Sequence, residues 1–256
     1  MNGSSTDARF EAWVAGLEGR HLADLTFAEV SRALRALSST YVERRGGISR
    51  GAALTGAGKR AAFALFYAPL HFLLVAHAVA ALASERAAPT LFDLGCGTGV
   101  AGAAWASSDR SIRRVVGIDR NPWALGEAAR TYRAFDVHAQ TQRGDVARVV
   151  FPRERSSIVA AFTMNELADS ERDAMLSRLV QRGRDGDSVL IVEPLAGFVA
   201  PWWNRWREAF IAAGGRADEW RFRADLPPIV AKLDRAAGLD HREITGRSLW
   251  LCPRSA

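Results

Sequence analysis

The sequence predicts an α/β fold, a mostly parallel sheet with helices on both faces, preceded by a helical N-terminal extension. Three observations predict it. Short apolar runs alternate with helix-length segments from Thr90 onward. The first of those runs ends in glycines at alternate positions, Gly95, Gly97 and Gly99. The first forty residues instead carry apolar side chains at helical spacing and no strand pattern.

In the N-terminal part, Phe10, Trp13, Val14 and Leu17 recur along one helix face. Thr26 followed by Glu29 is a capping box that opens a second helix, whose apolar face continues through Leu34 and Leu37. Residues 41–60 are rich in arginine and glycine, lack an apolar period and read as a loop. Residues 61–84 hold no Asp, Glu, Lys or Arg. A membrane-spanning helix needs roughly 20 apolar residues, and Pro69 divides this run. It therefore predicts a short helix, a break, and a buried helix from about Pro69 rather than a span.

From Thr90 the expected elements follow in order. LFDL is a strand, Gly99 to Ser107 a helix, VVGID at 115–119 a strand. Pro122 starts a helix that runs through Tyr132. Val137 to Thr141 is a third strand, 157–163 a fourth, Ser170 to Arg182 a helix and 188–194 a fifth strand. REIT and SLWLC flank Gly246 and predict a strand pair with a tight turn. The expected division is 1–87 for the helical part and 88–256 for the sheet. Ligands in such sheets sit at the C-terminal ends of the strands.

Composition narrows the class. Apolar residues make up 48% and charged residues 24%, which excludes wholesale disorder. The two cysteines, Cys96 and Cys252, exclude a disulfide scaffold and a four-cysteine metal site; no metal site is expected. No secretory signal pattern is visible, so a cytoplasmic protein is expected. The net charge of +6 admits nucleic acid as a partner. Lysine is nearly absent, however: Lys59 and Lys232 apart, every basic residue is arginine, the mark of a coding bias more than of a binding surface.

The strongest chemical signal is Asp93-Leu-Gly-Cys-Gly-Thr-Gly99. Glycines directly after a strand let a ligand approach the backbone, and the following helix presents its N-terminus to it. Gly97, Gly99 and Gly102 also satisfy the dinucleotide fingerprint G-x-G-x-x-G. Asp93 argues against a nicotinamide oxidoreductase, because a carboxylate suits the positively charged end of S-adenosyl-L-methionine and repels a pyrophosphate.

With LFDLGCGTG, VVGIDRNPWAL, RGDV and AAFTMNELAD in this order, residues 88–195 resemble the class I S-adenosylmethionine-dependent methyltransferases. The resemblance implies a Rossmann-like, mostly parallel seven-stranded sheet and S-adenosyl-L-methionine as cofactor. It implies that Asp93, Gly95, Cys96 and Gly97 line the methionine and ribose part of the cofactor. It places Asp119, with Arg120 beside it, at the ribose hydroxyls, and Asp145, with Val146 beside it, at the adenine amino group. The fourth strand then ends facing the methyl group, which makes Asn165 and Glu166 the candidate catalytic residues. Glu166 is suited to accept a proton and Asn165 to hold an acceptor through its amide; alternatively the pair starts the next helix. The sequence lacks the Asn/Asp-Pro-Pro-aromatic motif of amino-directed nucleic-acid enzymes and a cysteine in that position.

A narrower resemblance joins NELAD, SERDAMLSRL and VEP, with Gly197 and Phe198 after it, to methyltransferase-like proteins of mitochondrial small-subunit assembly. Their cysteine-rich metal ligation is not matched in this chain. The expected activity is direct methyl transfer to a small molecule or RNA, with no membrane partner. The alternative is a catalytically silent RNA- or ribosome-binding factor. Two segments are candidates for the acceptor site. One is the loop 41–60, with Tyr41, Arg44, Arg45, Arg50, Lys59 and Arg60. The other is the aromatic stretch with Trp202, Trp203, Arg205, Trp206 and Arg207, followed by Trp220 and Phe222. A buried helix face of Trp202, Trp206 and Phe210 is the competing reading of the second segment.

Overall fold

The computed structural model describes residues 3–43, 54–82, 87–195, 200–239 and 241–252. Among the described residues three helices come first: α1 (Gly3–His21), α2 (Phe27–Glu43) and α3 (Ala57–Leu82). Phe10, Trp13, Val14 and Leu17 of α1 are buried, as their spacing predicts. The capping box of α2 is formed. Thr26 Oγ1 accepts from the Glu29 N–H at 3.3 Å, and Glu29 Oε2 accepts from the Thr26 N–H at 2.8 Å.

Two N-terminal expectations need correction. Lys59 and Arg60 lie in the first turn of α3, not in a loop; Arg44, Arg45, Arg50 and the Tyr41 side chain fall outside what is described. Nor does Pro69 break the helix. The five residues Phe63–Tyr67 form a π-helical segment, in which the Ala68 N–H reaches back to the Phe63 carbonyl. Widening the turn just before the proline accommodates its missing N–H and its bulk, so one helix runs through. By length and composition α3 would suffice to cross a membrane. Here Phe66, Leu70, Leu74, Val75 and Val79 are buried within the fold.

The sheet follows: β1 (Thr90–Leu94), α4 (Val100–Ser108), β2 (Arg114–Asp119), α5 (Pro122–Ala134), β3 (Ala139–Arg143), β4 (Ser157–Ala161), α6 (Asp169–Arg184), β5 (Ser188–Glu193), α7 (Trp203–Ala212), β6 (Arg216–Phe222), α8 (Pro228–Ala237) and β7 (Ile244–Leu251). The seven strands lie in the order β3-β2-β1-β4-β5-β7-β6. β7 runs antiparallel to both its neighbours and the remaining pairs are parallel. The order reverses between β1 and β4, where a crevice opens at the strands' C-terminal ends.

Alternation along the strands sends side chains to two cores. Leu91, Val115, Val159 and Leu190 meet α3, α4, α5, α8 and the N-terminal helices on one face. Phe92, Val116, Ile158 and Val189 meet α6 and α7 on the other. Across the first core, α1 is tied to α5 by Arg20 Nη2 and Glu127 Oε2 at 2.6 Å.

The C-terminal expectation is overturned. Residues 244–251 are one strand, not a hairpin, and its edge partner is the stretch Arg216–Phe222. Gly246 is glycine because α3 crosses there: a Cβ would stand 2.4 Å from Leu74 Cδ2. Trp220 and Phe222 therefore belong to a strand, with Trp220 Nε1 donating to Ser248 Oγ at 2.9 Å. In α7, Trp203, Trp206 and Phe210 are buried, so most of the aromatic stretch is core. Trp206 has no exposed surface and stacks on Phe210. Trp206→Ala is expected to destabilise the protein by about 3–5 kcal/mol. An unchanged urea midpoint would show that this face does not hold the second core.

Candidate active site

The crevice is built first by the loop after β1. Gly95 and Gly97 have φ of +62° and +52°, the left-handed region that glycine enters at no cost. A Cβ on Gly95 would stand 2.3 Å from the Thr163 side chain, whereas one on Gly97 would meet only the Gly95 carbonyl oxygen at 4.0 Å. Gly97 thus leaves room on the cleft wall that any other residue would fill. Asp119, at the end of β2, holds the loop in place. Its Oδ2 accepts from the Gly97 N–H at 2.9 Å and its Oδ1 from the Asn121 N–H at 2.8 Å. Asn121 in turn caps α5 through the Trp123 N–H at 3.0 Å.

Asp93 does not line the cleft, which corrects the expectation from its position in the motif. Its carboxylate is buried under the loop, where Oδ2 accepts from the Gly102 N–H at 2.8 Å and from Tyr132 Oη at 2.9 Å. Gly102 and Gly117 make room for this contact. Cβ atoms there would stand 2.7 Å from Asp93 Oδ2 and from Tyr132 Oη respectively. That close packing explains Gly102 without a dinucleotide. Burial pushes the Asp93 carboxyl up to about 6, against the hydrogen bonds from Gly102 and Tyr132 that lower it. The Cys96 thiol is also buried beside this group, and burial raises its pKa; the side chain faces the interior rather than the cleft.

The cleft is lined by Gly95, Gly97, Asp119, Asn121, Ala124, Thr163 and Glu166, with Leu54 and Phe63 closing it from the N-terminal part. Its empty volume is about 380 Å³, counted out to solvent. Among the expected residues, Gly95, Gly97, Asp119 and Glu166 come together there. Arg120 is exposed, and Val146 is buried in the second core. Asp145 follows β3, and its Oδ1 accepts from the Ala147 N–H at 3.0 Å.

Asn165 and Glu166 lie in a 3₁₀ turn, Met164–Glu166, and the helix that follows is capped at Ala168 rather than at Asn165. The Asn165 amide does not line the cleft. Its Nδ2 donates to Glu193 Oε2 at 3.0 Å, and its Oδ1 accepts from Trp202 Nε1 at 2.7 Å. Glu193 also accepts from the Met164 N–H at 3.0 Å, while Arg172 Nε donates to the Met164 carbonyl at 2.9 Å. Trp202 thus serves this network, with the Arg172 guanidinium 5.6 Å over its ring. Sequence reasoning missed Glu193, Thr163, Phe63 and Leu54. Glu193 ends an apolar strand, a recognisable signal; the others carry no distinctive one.

Comparison with known proteins agrees with this architecture. Residues 91–186 match the family described as a methyltransferase domain. The matched stretch runs from β1 through α6 and so contains the glycine loop and Asp119. Among solved structures, an O-methyltransferase family protein from Burkholderia thailandensis is 14% identical, with a TM-score of 0.57 over 91% of this chain and 74% of its own. The mitomycin 7-O-methyltransferase is 14% identical, with a TM-score of 0.54 over 97% of this chain and 75% of its own. At these identities the likeness is one of fold. No curated protein matches the sequence significantly. Gly197 and Phe198, part of the narrower ribosome-assembly resemblance, lie outside the described residues.

Asp93 gives the methyltransferase domain a testable pH dependence. Its folded pKa of about 6 stands above the ordinary 3.8. Folding therefore disfavours the ionised form, and the cost is present above pH 6 and absent below 3.8. As pH falls through this window the wild type should gain on the order of 3 kcal/mol relative to Asp93→Asn. Parallel stability curves for the two proteins would show that Asp93 is not held this way.

Proposed function

We propose that the protein is an S-adenosylmethionine-dependent methyltransferase and that the cleft beside Gly97 and Asp119 binds the cofactor. The observation that carries this reading is the bare backbone at Gly97, fixed by Asp119, at the switch point of a methyltransferase fold. Gly95 and Gly97 let the cofactor's chain lie against the loop. Asp119 retains lone pairs on both oxygens to accept from ribose hydroxyls, and Asp145 is assigned to the adenine amino group. Asp93 acts beneath the loop as its anchor.

The cofactor supplies a methyl group on a sulfonium, which makes transfer a direct displacement. The chain's task is then alignment and proton removal. Glu166, on the cleft wall, is assigned as the group that accepts the acceptor's proton as its lone pair takes the methyl carbon and the carbon–sulfur bond breaks. Asn165, tied to Glu193 and Trp202, is assigned as a positioning residue that holds the Met164–Glu166 turn.

Calorimetry should show S-adenosylhomocysteine binding with no comparable binding of NAD or NADP. Asp119→Ala should weaken it at least tenfold, since two charge-assisted bonds worth about 1.5–3 kcal/mol each are lost. Tighter NAD binding, or an unchanged affinity in Asp119→Ala, would overturn the assignment. Once an acceptor is found among phenols and amines, Glu166→Gln should lower kcat by about 10²–10⁴-fold while S-adenosylhomocysteine affinity stays constant. An unchanged kcat would remove Glu166 from the mechanism.

A further inference from the structure

Phe63 brings an aromatic ring to the cleft lining, and other rings pack beside it. Phe63, on the cleft wall, opens the π-helical segment of α3, and Tyr67 and His71 follow on the same side. The Tyr67 and His71 ring centroids lie 6.0 and 6.1 Å from that of Phe63. They lie 6.1 Å from each other. His71 stacks on Phe162, with centroids 3.7 Å apart and planes within 16°. Phe162 directly precedes Thr163, another cleft residue.

Two backbone irregularities meet at this wall. Phe162 has φ of +56°, an outlier for a bulky side chain. The π-helical segment of α3 ends four residues before His71, on which Phe162 stacks. Both features cost stability, and both concentrate where proteins bind ligands. Here Phe162, just past β4, stacks on His71 of α3, whose ring neighbours those of Phe63 and Tyr67. The charge of the cleft is equally informative. Its lining carries the carboxylates of Asp119 and Glu166 and no basic side chain among the described residues. A phosphate-bearing acceptor would meet two anions there, and an uncharged ring would not.

We propose that this wall is the acceptor subsite and that the acceptor is a small, uncharged, planar aromatic molecule that packs against Phe63, Tyr67 and the His71–Phe162 pair. The inference rests on the methyltransferase reading. Offset and edge-to-face contacts between rings add to simple burial, so the wall discriminates a flat ring from a saturated one of equal size.

The test uses the full chain loaded with S-adenosylhomocysteine, titrated by calorimetry with 2-naphthol and with its saturated analogue decahydro-2-naphthol. The naphthol should bind about tenfold more tightly. Phe162→Gly removes the ring and tolerates φ of +56°. It should keep a cooperative melt and its S-adenosylhomocysteine affinity, yet lose most naphthol binding. His71→Ala should weaken naphthol binding and His71→Phe should restore it, which a role in folding alone would not produce. Equal affinity for the two alcohols, no naphthol binding by protein that binds S-adenosylhomocysteine, or full binding by Phe162→Gly would overturn the inference. Failure of the wild type to bind S-adenosylhomocysteine would overturn the cofactor reading instead, and the inference with it.

Discussion

The hydrogen bonds gathered at Asp93 Oδ2 join at a single atom three elements that also share the first core. Asp93 lies next to the end of β1, Gly102 in the first turn of α4 and Tyr132 near the end of α5. Bringing them onto one oxygen forces the chain between β1 and α4 into a tight, left-handed path. Only glycine fits where α4 and β2 close around the group. The Gly97 amide is then held by Asp119 from the next strand. The open backbone at the cleft follows from these two carboxylates, one buried below the loop and one beside it. The cost is an aspartate that ionises reluctantly in the core.

Above the loop, the cleft is closed by parts of the chain outside the matched domain. Leu54 and Phe63 reach it from the N-terminal side, and α3 keeps its length past Pro69 by widening one turn. The opposite wall is the Met164–Glu166 turn. Glu193 grips it through the Met164 amide and the Asn165 side chain, and Arg172 grips it through the Met164 and Leu167 carbonyls. A turn held from both sides keeps Glu166 at a fixed place on the wall, as the proton transfer proposed for it requires.

Much of this was legible in the residues. Helical spacing gave α1 and the core face of α2, and the Thr26–Glu29 box gave the start of α2. The order of LFDLGCGTG, VVGID and RGDV gave the sheet and three residues of the cleft lining, Gly95, Gly97 and Asp119. Two of the failures share one cause: close packing by distant chain imitates local signals. Gly246 reads as a turn, yet it is glycine because Leu74 lies against it. Asp93 reads as a ligand residue, yet Tyr132, thirty-nine positions on, turns it inward. Pro69 reads as a break because no local pattern announces a π-helical turn. Trp220 and Phe222 read as an insertion because their strand's partner, β7, comes later in the chain.

The most direct test of the account is a crystal structure with S-adenosylhomocysteine. The account predicts the ribose on Asp119, the adenine beside Asp145, and the thioether sulfur directed at the wall formed by Phe63, Thr163 and Glu166. A ligand bound away from Gly97 and Asp119, or lying in the cleft with its sulfur turned from Glu166, would contradict it.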